Sequence, residues 1–228
     1  MNDLPGGRHA VDREALRNGL FQRLIREAGI ALRVLTEEEL RQSLDRTLAT
    51  RPVGQPVWLF AYGSLMSNPA VHVAERRHAL VRGLHRRFCL WAVIGRGMPD
   101  NPGLYLGLER GGACRGIALR IDESILRDEL DVVWHREMVT GAYVPTWVTA
   151  ETADGPVPAI AFRINHRHEG YAGRLPEEEV ARIVAGASGA VGTCRDYLAH
   201  VIDALHDAGV RDRRMERLFE RVEELAGV

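Results

Sequence analysis

Between residues 57 and 164 the chain offers six extended segments with a single helix among them. The predicted strands are 57–62, 87–92, 104–108, 115–121, 143–149 and 157–164, with Gly, Pro and Asp punctuating the gaps. The first, Val-Trp-Leu-Phe-Ala-Tyr, is continuously apolar and stops at Gly63-Ser64, as a buried strand stops at a tight turn. The helix runs from Glu123 to about Met138, and after Pro176 the pattern turns helical again, over about 194–208 and 214–225. Strands separated mainly by turns, one inserted helix and a helical tail define an α+β class. The expected architecture is a small mixed, mostly antiparallel β-barrel with flanking helices. Upstream, Leu16, Leu20, Leu24 and Ala28 keep a four-residue rhythm over 12–28, which predicts an amphipathic helix. Thr36 and Glu39 form a capping box for a second helix through Leu40, Leu44 and Leu48. Residues 51–56, with two prolines and a glycine, read as a linker. The chain is therefore divided into a helical extension with linker, 1–56, and a main domain, 57–228.

Composition removes whole classes of chemistry. All thirty basic residues are Arg, so no Schiff base, no covalently held pyridoxal phosphate and no P-loop lysine is available. A formal charge of −1 leaves no electrostatic footprint for nucleic acid or an anionic membrane. Cys89, Cys114 and Cys194 are scattered, with no C-x-x-C, and are expected to be reduced thiols. The polar start of the chain lacks a leader-like apolar core, and no apolar run approaches membrane-spanning length, so a cytoplasmic protein is expected. His166 and His168 sit in a polar stretch that reads as a loop rather than a metal site, and no metal or cofactor is expected. Gly95-Arg96-Gly97 does not continue as a dinucleotide fingerprint, and Ser64 lacks the second glycine of a nucleophile elbow because position 66 is Met.

Two features point to chemistry. On the inserted helix, with Asp122 as N-cap and Gly141 as a stop, the apolar stripe Leu126, Leu130, Val133, Trp134 extends to Glu137. A carboxylate turned inward loses water, its pKa rises, and it becomes suited to take a proton from an amine and return it. The same pattern also accommodates an ion pair of Glu137 with Arg136 or Arg163, or a helix that has already ended with the side chain exposed. The second feature is Tyr62-Gly63-Ser64-Leu65. Consecutive backbone N–H groups of such a turn can converge on a carboxylate or a developing oxyanion, and Ser64 adds a hydroxyl. Alone, the tetrapeptide is an ordinary strand-to-loop turn.

It does not stand alone. Residues 57–69, VWLFAYGSLMSNP, resemble the signature strand and loop of the ChaC-type gamma-glutamylcyclotransferases. So, in order, do Arg86-Arg87-Phe88-Cys89-Leu90 with Gly95-Arg96-Gly97 and Asn101-Pro102-Gly103, then Gly116-Ile117-Ala118, where Leu119 replaces the usual Tyr. Trp134-His135-Arg136-Glu137-Met138 with Gly141-Ala142-Tyr143 and Pro145-Thr146-Trp147 is similar to the bacterial form of the R-E-x-x-x-G-x-Y block. Residues 187–193 and Asp196-Tyr197-Leu198 match the closing helical segment. The resemblance implies a small mixed barrel and a cofactor-free cytosolic enzyme that splits glutathione into 5-oxoproline and cysteinylglycine. It implies Glu137 as the catalytic acid/base, and Tyr62, Gly63, Ser64 and Leu65 as the loop holding the gamma-glutamyl end, with Tyr143 lining the pocket. The substrate α-carboxylate falls to backbone donors of the turn or to Arg96, which is equally readable as a surface residue. A monomer with a small-molecule substrate, no nucleic acid and no membrane is the simplest expectation. Two alternatives remain: a cyclotransferase for other gamma-glutamyl amino acids or amines, and a non-catalytic binder of gamma-glutamyl peptides.

Overall fold

The computed structural model describes residues 11–227 and, before them, the backbone of β1 (Asp3–Leu4) and β2 (Arg8–His9), which pair antiparallel. The rest of the first ten residues, on which the expectation about a leader falls, and Val228 lie outside the described residues. Next come α1 (Arg13–Arg17), α2 (Leu20–Glu27), α3 (Glu37–Ala49), β3 (Trp58–Ala61), α4 (Ser64–Ser67), β4 (Glu75–Ala92) and β5 (Gly103–Arg120). A 3-10 turn, Glu123–Ile125, leads into α5 (Leu126–Glu137), followed by β6 (Tyr143–Thr152), β7 (Gly155–Ile164) and α6 (Glu177–Gly186). The chain closes with β8 (Ser188–Gly189), β9 (Gly192–Thr193), α7 (Cys194–Asp207) and α8 (Arg213–Ala226).

These elements fall into two compact units. One comprises Met1–Leu32, Phe88–Leu106 and His166–Val228, the other Arg33–Arg87 and Gly107–Asn165. The second is built on a closed five-stranded barrel in the order β3-β5-β4-β6-β7, with β3 pairing back to β7. The β3–β5, β4–β6 and β6–β7 ladders are antiparallel and the β3–β7 and β5–β7 pairings parallel, so the barrel is mixed and mostly antiparallel, as expected. Every residue of β3 is buried, which accounts for its unbroken apolar run. Helix α5 lays Leu130, Val133 and Trp134 into the core, and Trp134 meets Phe162 of β7 edge to face at 5.3 Å. Burying each such side chain contributes roughly 1.5–3 kcal/mol. Helix α3 braces α5: Trp134 Nε1 donates to Ser43 Oγ at 3.2 Å, and the Leu35 N–H donates to the Val139 carbonyl at 2.8 Å. The Thr36–Glu39 capping box is present and starts α3 where predicted.

In the other unit α6, α7 and α8 pack together, and Tyr197 of α7 meets Phe88 and Tyr105 edge-on at 5.9 and 5.5 Å. The Cys194 thiol donates to the Leu104 carbonyl at 3.1 Å, and burial pushes its pKa up to about 11, as for an inert structural thiol. Cys89, Cys114 and Cys194 are all buried and form no disulfide. The 166–170 segment is a loop, as expected, in which His168 Nδ1 accepts the Gly170 N–H at 3.0 Å.

Several boundaries differ from expectation. The helix predicted over 12–28 is two helices, because the chain turns at Asn18 and Gly19, where Gly19 adopts φ 67°. The segment 87–92 is only the end of β4, and 104–108 with most of 115–121 belong to one strand, β5, which continues through Gly111-Gly112 although both glycines take positive φ, 99° and 67°. The stop of α5 is Met138; Gly141 comes three residues later, its N–H donating to the Met138 carbonyl at 3.0 Å.

Gly116 shows how tightly the barrel is drawn. A Cβ there would lie 2.3 Å from the Ala61 carbonyl oxygen and 3.0 Å from the Phe60 ring, and the first of these neighbours is backbone that cannot give way. Gly116→Ala is therefore expected to destabilise the protein by about 1–3 kcal/mol, read from a lower midpoint in urea unfolding at unchanged slope. An unchanged midpoint would contradict the close approach.

Candidate active site

The barrel strand β3 ends at Ala61, and the chain leaves the ladder through Tyr62, Gly63 and the short helix α4. Tyr62 is buried and its hydroxyl donates to the Phe162 carbonyl at 2.8 Å. The turn expected at Ser64 is thus the opening of a helical turn. The first N–H groups of a helix have no intrahelical acceptor. Among the described residues, none accepts a hydrogen bond from the N–H of Gly63, Ser64 or Leu65. Gly63 and Leu65 are nonetheless buried. Three successive open donors in a largely buried turn are unusual, since buried backbone N–H groups are nearly always paired. Such a row is ready for an anionic oxygen.

Glu137 ends α5 with its side chain 13% exposed, so the inward orientation expected from periodicity is present. Its Oε1 lies 3.3 Å from Nε of Arg136, whose side chain is 9% exposed. Both readings entertained for this residue hold together: the carboxylate is sequestered and it has an arginine partner. Burial pushes its pKa above the ordinary value of 4.5, and the charge of Arg136 only partly offsets that push. Arg163, the other partner considered, instead donates from Nε to Thr146 Oγ1 at 3.0 Å.

Three ties hold α5 against the turn. Arg136 Nη1 donates to the Asn68 carbonyl at 2.6 Å, directly beyond α4. The His72 N–H donates to Glu129 Oε2 at 2.9 Å. Phe162 accepts the Tyr62 hydroxyl through its carbonyl and packs its ring on Trp134, one turn before Glu137. Tyr143 opens β6 opposite Ile164 and is half-buried. Tyr62, Gly63, Ser64, Leu65, Glu137 and Tyr143 therefore belong to one unit. Arg96 belongs to the other, where Nη1 donates to the Thr193 carbonyl at 3.1 Å and the guanidinium lies 6.0 Å from the centre of the Tyr197 ring. It is half-buried there rather than a surface residue.

Sequence reasoning missed two of the buried charged groups, the two that touch the turn after β3 or the segment following it. Glu129, 1% exposed, sits two turns before Glu137 on the same face of α5. Its signal was the spacing Glu129, Val133, Glu137, obscured by its place in an acidic first turn. Arg86, 4% exposed, donates to the Tyr62 carbonyl at 3.0 Å. It was visible only as part of a resemblance block.

A family model described as ChaC-like protein matches residues 57–225. The glutathione-specific gamma-glutamylcyclotransferase of Escherichia coli strain K12 is 41% identical over 82% of this chain and 82% of its own length. Glutathione-specific gamma-glutamylcyclotransferase 1 of Homo sapiens is 30% identical over 74% of this chain and 79% of its own. Among solved structures, the crystal structure of a yeast gamma-glutamyl cyclotransferase specific to glutathione is similar with a TM-score of 0.70 at 19% identity. It covers 75% of this chain and 97% of that one.

The raised pKa of Glu137 has a stability consequence. The folded state binds this proton more tightly than the unfolded chain does. The stability so contributed is complete below about pH 4.5 and is lost as pH rises through the raised value. Relative to Glu137→Gln, the wild-type protein should therefore lose thermal stability as pH is raised from 4 towards 8. A melting-temperature difference that stays flat with pH, or opens in the other direction, would contradict the assignment.

Proposed function

The chain belongs to the ChaC-like protein family, and from that premise we propose that it is a glutathione-specific gamma-glutamylcyclotransferase. One observation carries the chemistry: a desolvated carboxylate, Glu137, is tied through Arg136 to the segment that carries three open N–H donors at Gly63, Ser64 and Leu65.

A gamma-glutamyl group carries its own nucleophile. Its α-amine attacks its γ-carbonyl, the new C–N bond closes a five-membered ring, and the amide C–N bond to cysteine breaks. The products are 5-oxoproline and cysteinylglycine. Well-oriented intramolecular attack reaches effective molarities on the order of 10⁵ M, so holding the chain curled supplies much of the acceleration. In this reading Glu137 accepts a proton from the α-ammonium and returns it to the departing nitrogen, and the second proton, shed by the attacking nitrogen as the ring closes, follows through the same carboxylate, so that cysteinylglycine leaves as an ammonium. Such acid–base assistance is stronger when the pKa lies closer to the working pH, as burial arranges here.

The open N–H groups of the turn hold the gamma-glutamyl end, stabilising negative charge on the γ-carbonyl oxygen and pairing the α-carboxylate. Tyr143 lines the pocket. Arg96 is the alternative partner for the α-carboxylate, and its commitment to Thr193 and Tyr197 favours the backbone donors. The groups of the turn and of α5 come from one chain, so a monomer suffices. The enzyme is read as cytoplasmic, with residues 57–228 as the catalytic domain and 1–56 as its helical extension. No helix among the described residues is long and apolar enough to cross a membrane.

Glu137→Gln should fold normally and release 5-oxoproline from glutathione roughly 10³-fold more slowly, measured by chromatography. Near wild-type turnover would remove Glu137 from its role. In the wild-type enzyme the acidic limb of kcat/KM should fall above pH 4.5, the ordinary glutamate value. Tyr143→Phe should cost less than Glu137→Gln, because it alters a wall and moves no proton; the reverse order would exchange the two roles. Comparison of glutathione with gamma-glutamylalanine tests the substrate, and faster turnover of the latter would replace glutathione as the preferred substrate.

A further inference from the structure

We infer that Arg86 is a positioning residue for this reaction: by holding the Tyr62 carbonyl, it aims and polarises the Gly63 N–H as a donor to the γ-carbonyl oxygen. The inference rests on the cyclotransferase reading and goes beyond it, because Arg86 acts through a peptide group and touches no substrate.

Arg86 lies on β4, 4% exposed. Its Nη1 stands 3.0 Å from the Tyr62 carbonyl oxygen and 4.0 Å from the Met66 sulfur, while Nη2 donates to the Arg115 carbonyl. One planar guanidinium thus spans three elements: the end of the β3 segment, helix α4, and β5 next to Gly116. Tyr62 is the first residue past the ladder, since the β3–β5 register ends at Ala61 opposite Ile117. The Tyr62–Gly63 peptide lies past the last paired residue of that ladder, and Arg86 holds its carbonyl.

The Tyr62 C=O and the Gly63 N–H are opposite ends of that one peptide plane. The bond is trans, as are all the peptide bonds of the described residues, so the two groups point in opposite directions. Fixing the carbonyl on Arg86 therefore fixes the N–H facing away from β4. Among the described residues none accepts a hydrogen bond from that N–H. The cation also draws electron density toward the carbonyl oxygen and leaves the N–H more positive, as in any cooperative hydrogen-bond chain. A buried arginine thereby delivers part of its charge to the reacting oxygen without entering the pocket. A lysine at 86 keeps the charge, but its compact ammonium lacks the fork that joins the Tyr62 and Arg115 carbonyls.

The test is steady-state kinetics on glutathione with Arg86→Lys and Arg86→Gln, alongside thermal melts. The expected result for Arg86→Lys is a kcat lower by roughly tenfold or more with KM within about twofold, as for a weakened oxyanion donor. The folded fraction should be unchanged, and Arg86→Gln should be worse. A kcat within twofold of wild type, a rise in KM alone, or a kcat loss equal to the loss of folded protein would overturn the inference. Should neither variant fold, the wild-type protein still decides. The Gly63 amide proton resonance should move downfield on adding 5-oxoproline, whose ring carbonyl is the former γ-carbonyl, and an unmoved resonance would overturn the inference. Wild-type enzyme that releases no 5-oxoproline from glutathione would instead remove the cyclotransferase reading itself, whereas active wild type with an equally active Arg86→Lys would remove only the role of Arg86.

Discussion

The carboxylate of Glu137 is held where water scarcely reaches it, and the same helix that holds it there supplies the core of the barrel. Leu130, Val133 and Trp134 fix the rotation of α5 through their burial. Glu137, one turn on, shares that inward rotation, and turning the helix outward would expose those side chains at roughly 1.5–3 kcal/mol each. The desolvation that raises its pKa is therefore maintained by hydrophobic packing. Arg136 moderates the cost without cancelling it, because its guanidinium is shared with the Asn68 carbonyl. Full neutralisation by an ideal bidentate pair would have pinned the pKa low and left a poor base.

Opposite in character is the turn after β3. There the strain on the folded state comes from donors lacking acceptors, where Glu137 is an ionisable acid lacking water. A buried unpaired N–H costs on the order of 1–3 kcal/mol, a cost that a bound oxygen relieves. A gamma-glutamyl substrate matches both deficits, with an ammonium for the acid and with carboxylate and carbonyl oxygens for the turn. Because the attacking nucleophile and the bond it breaks lie in one molecule, the protein needs only to hold these ends and carry protons from the attacking nitrogen to the departing one. Few side chains are required for such a reaction.

What was legible in the sequence followed from local periodicity. The capping box at Thr36, the buried β3 run and the inward face of Glu137 all depend on residues within a turn or two of one another. Glu129 follows the same helical spacing, yet an acid in a helix's first turn reads as dipole stabilisation, and its acceptor role depends on His72, far back in the chain. The first half of β4, ERRHALVRGLH, escaped notice because arginine and histidine stems cover apolar surface while their heads obscure the alternation. Gly111-Gly112 looked like the end of a strand, but pairing continues past it, and no local rule distinguishes the two. Arg86 acts on a carbonyl 24 residues earlier in sequence. Its role depends on the barrel order, which single-segment patterns do not contain.

That order also explains why the fold and the site are hard to separate. Since β5 lies between β3 and β4, Arg86 of β4 spans β5 to reach the end of the β3 segment. Arg86 does so by donating to the Arg115 carbonyl on the way, at the residue before Gly116. Gly116 in turn lets the β3 backbone come so near that a methyl group would collide with the Ala61 carbonyl. A bulkier residue at 116 would push β3 outward, carrying Tyr62 away from Arg86 and tilting the peptide that presents the Gly63 N–H. The close approach of two strands and the aim of the Gly63 N–H are thus one geometric requirement, met by the absence of a single side chain.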